Sequence, residues 1–196
     1  GPNGAGKSLL LRLCHGLIEP SAGTVCWNGP KAATPRAYQA MVFQRPVMLR
    51  RSVLSNLSHG LKCRGIKKAE RIRTIEEILH QTGLMRLAKV PARLLSVGEQ
   101  QRLAVARAWS LDPEVLFMDE PTAALDPAAT HSLEEIIDAI TKSGTKIIMS
   151  TQDLGQAKRL ADDVLFIYRG RLLERSDAKQ FFRQPKNDLA QSFIRG

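Results

Sequence analysis

Cysteine is scarce and scattered in this chain: Cys14, Cys26 and Cys63 form an odd set with no C-x-x-C pair, which argues against a disulfide framework or a structural zinc site. Buried or idle thiols are the reading that fits. The four histidines, His15, His59, His80 and His131, also lack metal-ligand spacing, so no metal chemistry is assigned to them. No apolar run approaches the roughly 18 residues that suggest a membrane span, and there is neither an internal repeat nor a low-complexity stretch. Acidic residues are missing from one region in particular. Between Arg45 and Arg107 there are 14 Lys or Arg against four Asp or Glu, whereas the rest of the chain holds 15 of each sign. The whole net charge of +10 therefore lies in the middle third. Such a concentration suits nucleic acid, an anionic membrane surface or an acidic partner, and equally a well-solvated face.

What is present is ordinary globular composition, 43% hydrophobic and 24% charged, in 196 residues that fit one domain, with room for a subdomain. The first eight residues, Gly1-Pro2-Asn3-Gly4-Ala5-Gly6-Lys7-Ser8, spell a complete G-x-x-x-x-G-K-[ST] phosphate loop. Its glycines let backbone N–H groups turn inward around phosphates, Lys7 supplies a point charge, and the Ser8 hydroxyl can ligand Mg²⁺. Leu9 to Leu13 reads as the helix whose positive end faces the anion. A strand normally delivers the chain into such a loop, so the sequence reads as N-terminally truncated, its leading strand missing.

Hydrophobic periodicity outlines the rest. Thr24–Trp27 followed by Asn28-Gly29 predicts a strand entering a turn, and Met41–Phe43 a short buried strand ending at Gln44. The pattern then turns helical to about Ser110, with Val53, Leu54, Leu57 and Leu61 on one stripe and Ile72, Ile75, Ile78 and Leu79 on another. Ser96 and Glu99 have capping-box spacing and open a further helix. Val115–Met118, Lys146–Ser150 and Val164–Tyr168 are continuous apolar runs of the kind that parallel sheets bury, and Pro127–Lys142 is an amphipathic helix between the first two. Arg169-Gly170-Arg171 is a turn, and two short helices are expected after Ser176. The fold class is α/β with a parallel core, interrupted by a basic helical insert.

The first of those runs ends in Asp119-Glu120. At a strand terminus beside a phosphate loop, Asp119 would serve the Ser8 magnesium site and Glu120 would accept a proton from attacking water. An acidic pair can also be a plain strand exit. Between the two elements stands Leu95-Ser96-Val97-Gly98-Glu99-Gln100-Gln101-Arg102. This octet resembles the signature sequence of ATP-binding cassette (ABC) proteins. Phosphate loop, Gln44, Ser96–Gly98, Asp119-Glu120 and Ala124-Leu125-Asp126 stand in that family's order over essentially the whole chain.

The resemblance implies a phosphate-loop NTPase of RecA-like fold, with residues 1–44 and 111–175 as core, 45–110 as helical subdomain and 176–196 as C-terminal tail. It implies ATP and Mg²⁺ as cofactors, an ATPase activity, and a head-to-tail pair of identical subunits. Each ATP would lie between Gly1–Ser8 of one copy and Ser96, Gly98 and Glu99 of the other, with Asp126 at the seam. Lys7, Gln44, Glu120 and Gln152 would be catalytic, and Ser8, Gln44 and Asp119 would hold the metal. The aromatic residue that stacks on adenine in the family would lie upstream of Gly1.

Two positions depart from the family pattern. Val97 replaces a glycine, and a β-branched residue there predicts an ordinary backbone angle. Gln152, in Ser150-Thr151-Gln152-Asp153, stands where the family has histidine; it can donate a hydrogen bond but carries no charge, which predicts reduced turnover. The DNA-repair branch of the family separates phosphate loop and signature by coiled coils or zinc modules, and here about 90 residues intervene without heptads or cysteine pairs. A transporter is therefore expected, with no nucleic-acid partner. Its partners would be a transmembrane permease subunit, whose coupling helix would meet the groove lined by residues 45–53, and indirectly a solute-binding protein. The location implied is the cytoplasmic face of the plasma membrane, peripheral. Val42–Val53, Asp153–Ala161 and Arg169–Glu174 are similar to ATPase subunits of tungstate importers. Phosphate, molybdate and polar amino acid importers stay open, as does a cassette that clamps ATP without useful turnover.

Overall fold

The computed structural model describes residues 1–28 and 34–195. The elements run α1 (Lys7–His15), β1 (Gln39–Val42), α2 (Val53–Cys63), α3 (Lys68–Gln81), α4 (Val97–Trp109), β2 (Val115–Asp119), α5 (Pro127–Lys142), β3 (Lys146–Ser150), α6 (Leu154–Leu160), β4 (Asp163–Tyr168), β5 (Arg171–Asp177), α7 (Ala178–Arg183) and α8 (Asp188–Arg195), with three single-turn 3₁₀ segments between them. Two compact units are formed. One holds Gly1–Val25 and Met149–Gly196, the other Cys26–Ile148.

The second unit is built on a sheet of order β1-β2-β3, whose last strand crosses the unit boundary. β1 and β2 are parallel, Gln39 facing Val115 and Val42 facing Met118. Leu116, Phe117 and Met118 are fully buried, as a strand covered on both faces requires. Trp27 packs edge-on against Phe117, ring centroids 6.2 Å apart. Helix α5 makes the crossover to β3 with Leu133, Ile136, Ile137 and Ile140 on its buried stripe. The helical insert is α2, α3 and α4, which bury Val53, Leu57 and Leu61, then Ile75, Ile78 and Leu79, then Leu103, Val105 and Ala106. Leu54 and Ile72, expected on those stripes, are 42% and 56% exposed. The stripes are narrower than the sequence suggested, and Asn56 takes the buried place on α2.

Three strand expectations need correction. Thr24–Trp27 forms no strand, although its residues are β-prone. Of the expected turn, Gly29 lies outside the described residues. β1 stops at Val42, leaving Phe43 largely exposed. Val164–Tyr168 does form a strand, but β4 pairs antiparallel with β5 rather than extending the parallel sheet. The cause is the connection. Arg169 and Gly170 both adopt left-handed φ, 48° and 75°, and a two-residue link of that kind folds the chain straight back into a hairpin.

In the first unit α7 and α8 pack on this hairpin. Phe166, Phe181 and Ala190 form its buried centre, joined by Phe182, Phe193 and Ile194. Four of the six phenylalanines are thus in one cluster, with Phe166 5.5 Å from Phe193 and 6.0 Å from Phe181 between centroids. Burial pushes the Cys14 thiol pKa up from its ordinary value, in keeping with an inert side chain. No helix among the described residues is long and apolar enough to cross a membrane.

Glu174 fastens the tail. Its buried carboxylate accepts from the Ser176 hydroxyl (3.0 Å) and from the backbone N–H groups of Lys186 and Asn187 (3.0 Å each), and Asn187 in turn caps α8 through Leu189 N–H (2.9 Å). Glu174→Ala strands those donors at about 2 kcal/mol. Thermal unfolding should show a Tm lower by roughly 5 °C, with faster amide exchange confined first to α8.

Candidate nucleotide-binding site

The loop before α1 is a run of turns. Gly4 and Gly6 have φ of 73° and 98°, a region open to glycine and strained for other residues. Gly6 is the N-cap of α1 and, among the described residues, no side chain caps that helix. The opposite side of the loop is braced by the hairpin: Gly170 N–H donates to Ala5 C=O at 2.9 Å, and a Cβ on Gly1 would run into the Ile167 carbonyl of β4. Lys7 is buried and folds back along its own loop, its Nζ donating to the carbonyls of Gly1 (2.8 Å) and Pro2 (3.0 Å). The cationic head is therefore held at the loop in advance of any anion. Ser8 follows on the first turn of α1. Gln152 is exposed between β3 and α6, one residue before Asp153, which caps α6 through Gln156 N–H (2.9 Å).

In the other unit the parallel register brings two side chains together. Val42 faces Met118, and parallel strands leave the sheet at the same end, so the residues two further on, Gln44 and Glu120, emerge side by side. Gln44 Nε2 donates to Glu120 Oε2 at 3.5 Å. Asp119 ends β2 and is only 4% exposed. Glu120 turns the chain out of the strand with a left-handed φ of 43°, a strained conformation for a non-glycine residue and one that recurs at functional sites.

The signature octet opens α4 as a reciprocal capping box. Ser96 Oγ accepts from Glu99 N–H (3.3 Å), while Glu99 Oε2 accepts from Ser96 N–H (2.8 Å) and from the Ser96 hydroxyl (2.9 Å). Gln100 Nε2 ties the turn to Leu95 C=O (2.8 Å). Ser96 is exposed, and Val97 is the first helical residue with an ordinary helical backbone, as its β-branching predicted. Asp126 is the N-cap of α5, followed by Pro127 at the first helical position, and its Oδ1 accepts from Ala129 N–H (2.8 Å). The predicted residues thus gather as Gly1–Ser8 with Gln152 in one unit, and as Gln44, Asp119 and Glu120, Ser96 to Glu99, and Asp126 in the other.

Two residues escaped the sequence reading. Asn56 is fully buried on α2, where its Nδ2 donates to the carbonyls of Arg51 (3.2 Å) and Ser52 (3.0 Å) and its Oδ1 accepts from Leu49 N–H (3.1 Å). Arg107 of α4 donates to Val47 C=O (2.9 Å) and to Asn56 Oδ1 (3.4 Å), and burial lowers its pKa from the ordinary value. Together they pin the segment that follows Gln44 to the helical insert. An amide three residues after Val53, on the buried stripe of an amphipathic helix, was the signal available.

Comparison with known proteins decides the family. A family model described as ABC transporter matches residues 1–123. The chain belongs to the ABC transporter family. It is 39% identical, over 89% of its own length and 82% of the relative's, to the tungstate uptake system ATP-binding protein TupC of Peptoclostridium acidaminophilum. It is 37% identical to the phosphate import ATP-binding protein PstB of Mycoplasmoides gallisepticum, covering 100% of this chain and 65% of that one. The solved structure of cbiO1 from Clostridium perfringens, described as part of the ABC transporter complex cbiONQ, superposes with a TM-score of 0.81 at 28% identity, over 94% of this chain and 77% of that one. The ABC chain therefore has the α/β phosphate-loop NTPase fold and is an ATPase of the transport class.

Replacing Asn56 by leucine keeps the volume, leaves Leu49 N–H without its acceptor and takes the side-chain donor from the Leu49, Arg51 and Ser52 carbonyls, each of which keeps a backbone N–H, a loss of about 1–3 kcal/mol. Urea titration of the Asn56→Leu ATPase should show a lower midpoint with an unchanged m-value.

Proposed function

We propose that this chain is the ATP-binding and ATP-hydrolysing subunit of an importer for a tetrahedral oxyanion, with tungstate and phosphate as the two candidates. The single observation that carries the hydrolytic reading is Glu120: a carboxylate at the end of a buried strand, held by the Gln44 amide. The backbone of Gly1–Ser8 and the Lys7 ammonium bind the β- and γ-phosphates of ATP, Lys7 exchanging its two loop carbonyls for phosphate oxygens. Ser8 in one unit, and Gln44 and Asp119 in the other, are oxygen donors of the hard kind that Mg²⁺ takes, and the ion when bound would neutralise phosphate charge. Glu120 accepts the proton of the attacking water as its oxygen bonds to the γ-phosphorus and the bond to the bridging oxygen breaks. Gln44 orients that carboxylate.

The signature turn serves a second copy of the chain. Ser96 and the Gly98 N–H lie at an exposed helix N-terminus, the kind of place that receives an anion, and Ser96 must release its hydroxyl from Glu99 to donate there. Asp126 takes its place at the same seam. The transport partner is a transmembrane permease subunit, which would put the chain peripherally at the cytoplasmic face of the membrane. The segment 47–52, pinned by Asn56 and Arg107, and the basic surface around it are the proposed docking region. The oxyanion reading rests on the likeness to proteins named for tungstate and phosphate uptake. The solute itself would be chosen by the partner proteins.

Glu120→Gln keeps the shape and removes the base, so kcat for ATP hydrolysis should fall at least about a hundredfold while ATP still binds. Gln152→His, restoring a ring that can share charge, should raise kcat; no rise, together with activity unaffected by Glu120→Gln, would favour a cassette that clamps ATP. For the solute, ATPase activity of the assembled transporter should be stimulated by binding protein loaded with tungstate or phosphate, and stimulation only by a loaded amino acid would refute the oxyanion reading.

A further inference from the structure

Gly98 meets a constraint inside its own chain. A Cβ built on it would lie 2.9 Å from the Cβ of Ala129 and 4.0 Å from Leu125 Cδ2. The first of those distances is closer than side-chain carbons approach, and a methyl on a helix backbone has no rotamer by which to give way. Gly98 is the second residue of α4 and has an ordinary φ, so its need for glycine is one of space and not of backbone angle. Ala129 is in the first turn of α5, and its N–H is the one that donates to Asp126 Oδ1, at 2.8 Å. One residue therefore touches the signature turn with its methyl and the Asp126 cap with its amide.

We propose that the Gly98–Ala129 contact is a positioning joint that sets the spacing between the signature turn and Asp126, so that the surface offered to the second copy is presented as one rigid piece. The inference rests on the reading of Ser96 and Gly98 as donors to the partner's ATP. Neither Ala129 nor Leu125 touches the phosphates in this account. Their part is to fix where Ser96 to Glu99 stand relative to Asp126. Thickening the contact from either side must force the two helix starts apart, and thinning it opposite a new methyl must let them return.

The test is a set of variants in the full-length subunit, read by kcat, by binding of a fluorescent ATP analogue and by Tm. Gly98→Ala should lower kcat about tenfold or more, the scale of a small misplacement at a reacting centre, with analogue binding to the phosphate loop kept. Adding Ala129→Gly should restore most of that kcat, because it removes the atom in the way. Ala129→Val should reproduce the loss without altering the signature, whereas Ala128→Val, on the exposed side of the same turn, should leave kcat unchanged. Failure of Ala129→Gly to rescue a folded Gly98→Ala protein, or full activity in Ala129→Val, overturns the joint. If Gly98→Ala does not fold, the comparison of Ala129→Val with Ala128→Val decides by itself. Ser96→Ala separates the two layers of the argument: if it retains full kcat, the donor reading falls and the joint with it, and if it is inactive while Ala129→Val is active, the joint alone falls.

Discussion

A helix begins with amide groups that its own turns cannot satisfy, and the way each helix here meets that requirement organises the rest of the structure. Ser52, Ser96, Asp126, Asp153 and Asp177 each place a side-chain oxygen on the amide three residues ahead. Those caps fix where α2, α4, α5, α6 and α7 start, and three of them lie beside the residues assigned to chemistry or to a partner copy. Helices α1 and α3 start without a side-chain cap, and α1 alone of the two starts from a glycine, Gly6, in a left-handed conformation. The Lys7 ammonium is held at the same loop by the Gly1 and Pro2 carbonyls. At Ser96 the cap and the proposed ligand compete for one hydroxyl, since Glu99 holds the proton that a phosphate oxygen would need. In the proposed pairing of two copies, nucleotide binding would carry a built-in exchange of hydrogen bonds, in which the helix keeps its Glu99–Ser96 backbone link while the side-chain donor is redirected.

The parallel pairing of β1 and β2 does for Glu120, the proposed catalytic carboxylate, what the caps do for the helices. It delivers Gln44 and Glu120 to one end of the sheet in register, and the chain leaves β2 through a strained residue rather than a glycine. Strain held at Glu120 is the expected cost of aiming a carboxylate out of a buried strand. From Gln44 the backbone runs directly into the segment clamped by Asn56 and Arg107, so displacement of that segment would be felt at Gln44. That gives the proposed permease contact a short covalent path to Gln44 and the proposed base Glu120.

Much of the architecture could be read from the chain because the signals were local. A phosphate loop is eight consecutive residues, a capping box is four, and an amphipathic stripe or a doubly buried strand repeats within about 16. The bounds of α5 and β3 and the start of α4 came out as the pattern predicted. The shape of the Gly1–Ser8 loop was equally legible, because left-handed turns are encoded by glycines at fixed spacing, as at Gly4 and Gly6. Asn56 was missed because one polar residue on a buried stripe looks like a lapse in the pattern until the carbonyls around it are located.

By itself, then, the sequence determined most of the elements and the glycine-shaped turns of the Gly1–Ser8 loop, both of which depend on neighbours within a few positions. Tertiary structure alone decided the partnerships between distant residues. Whether Val164–Tyr168 would join the parallel sheet or fold back on β5 depended on the left-handed pair at Arg169-Gly170 and on which ladder was within reach. Thr24–Trp27 stays irregular in spite of its β-prone residues, since β-propensity is overridden by context. Why position 98 must be glycine was decided by a methyl group 31 residues away. Strand pairing and close packing are contacts between segments far apart along the chain, and spacing within a segment holds no information about what will come to rest against it.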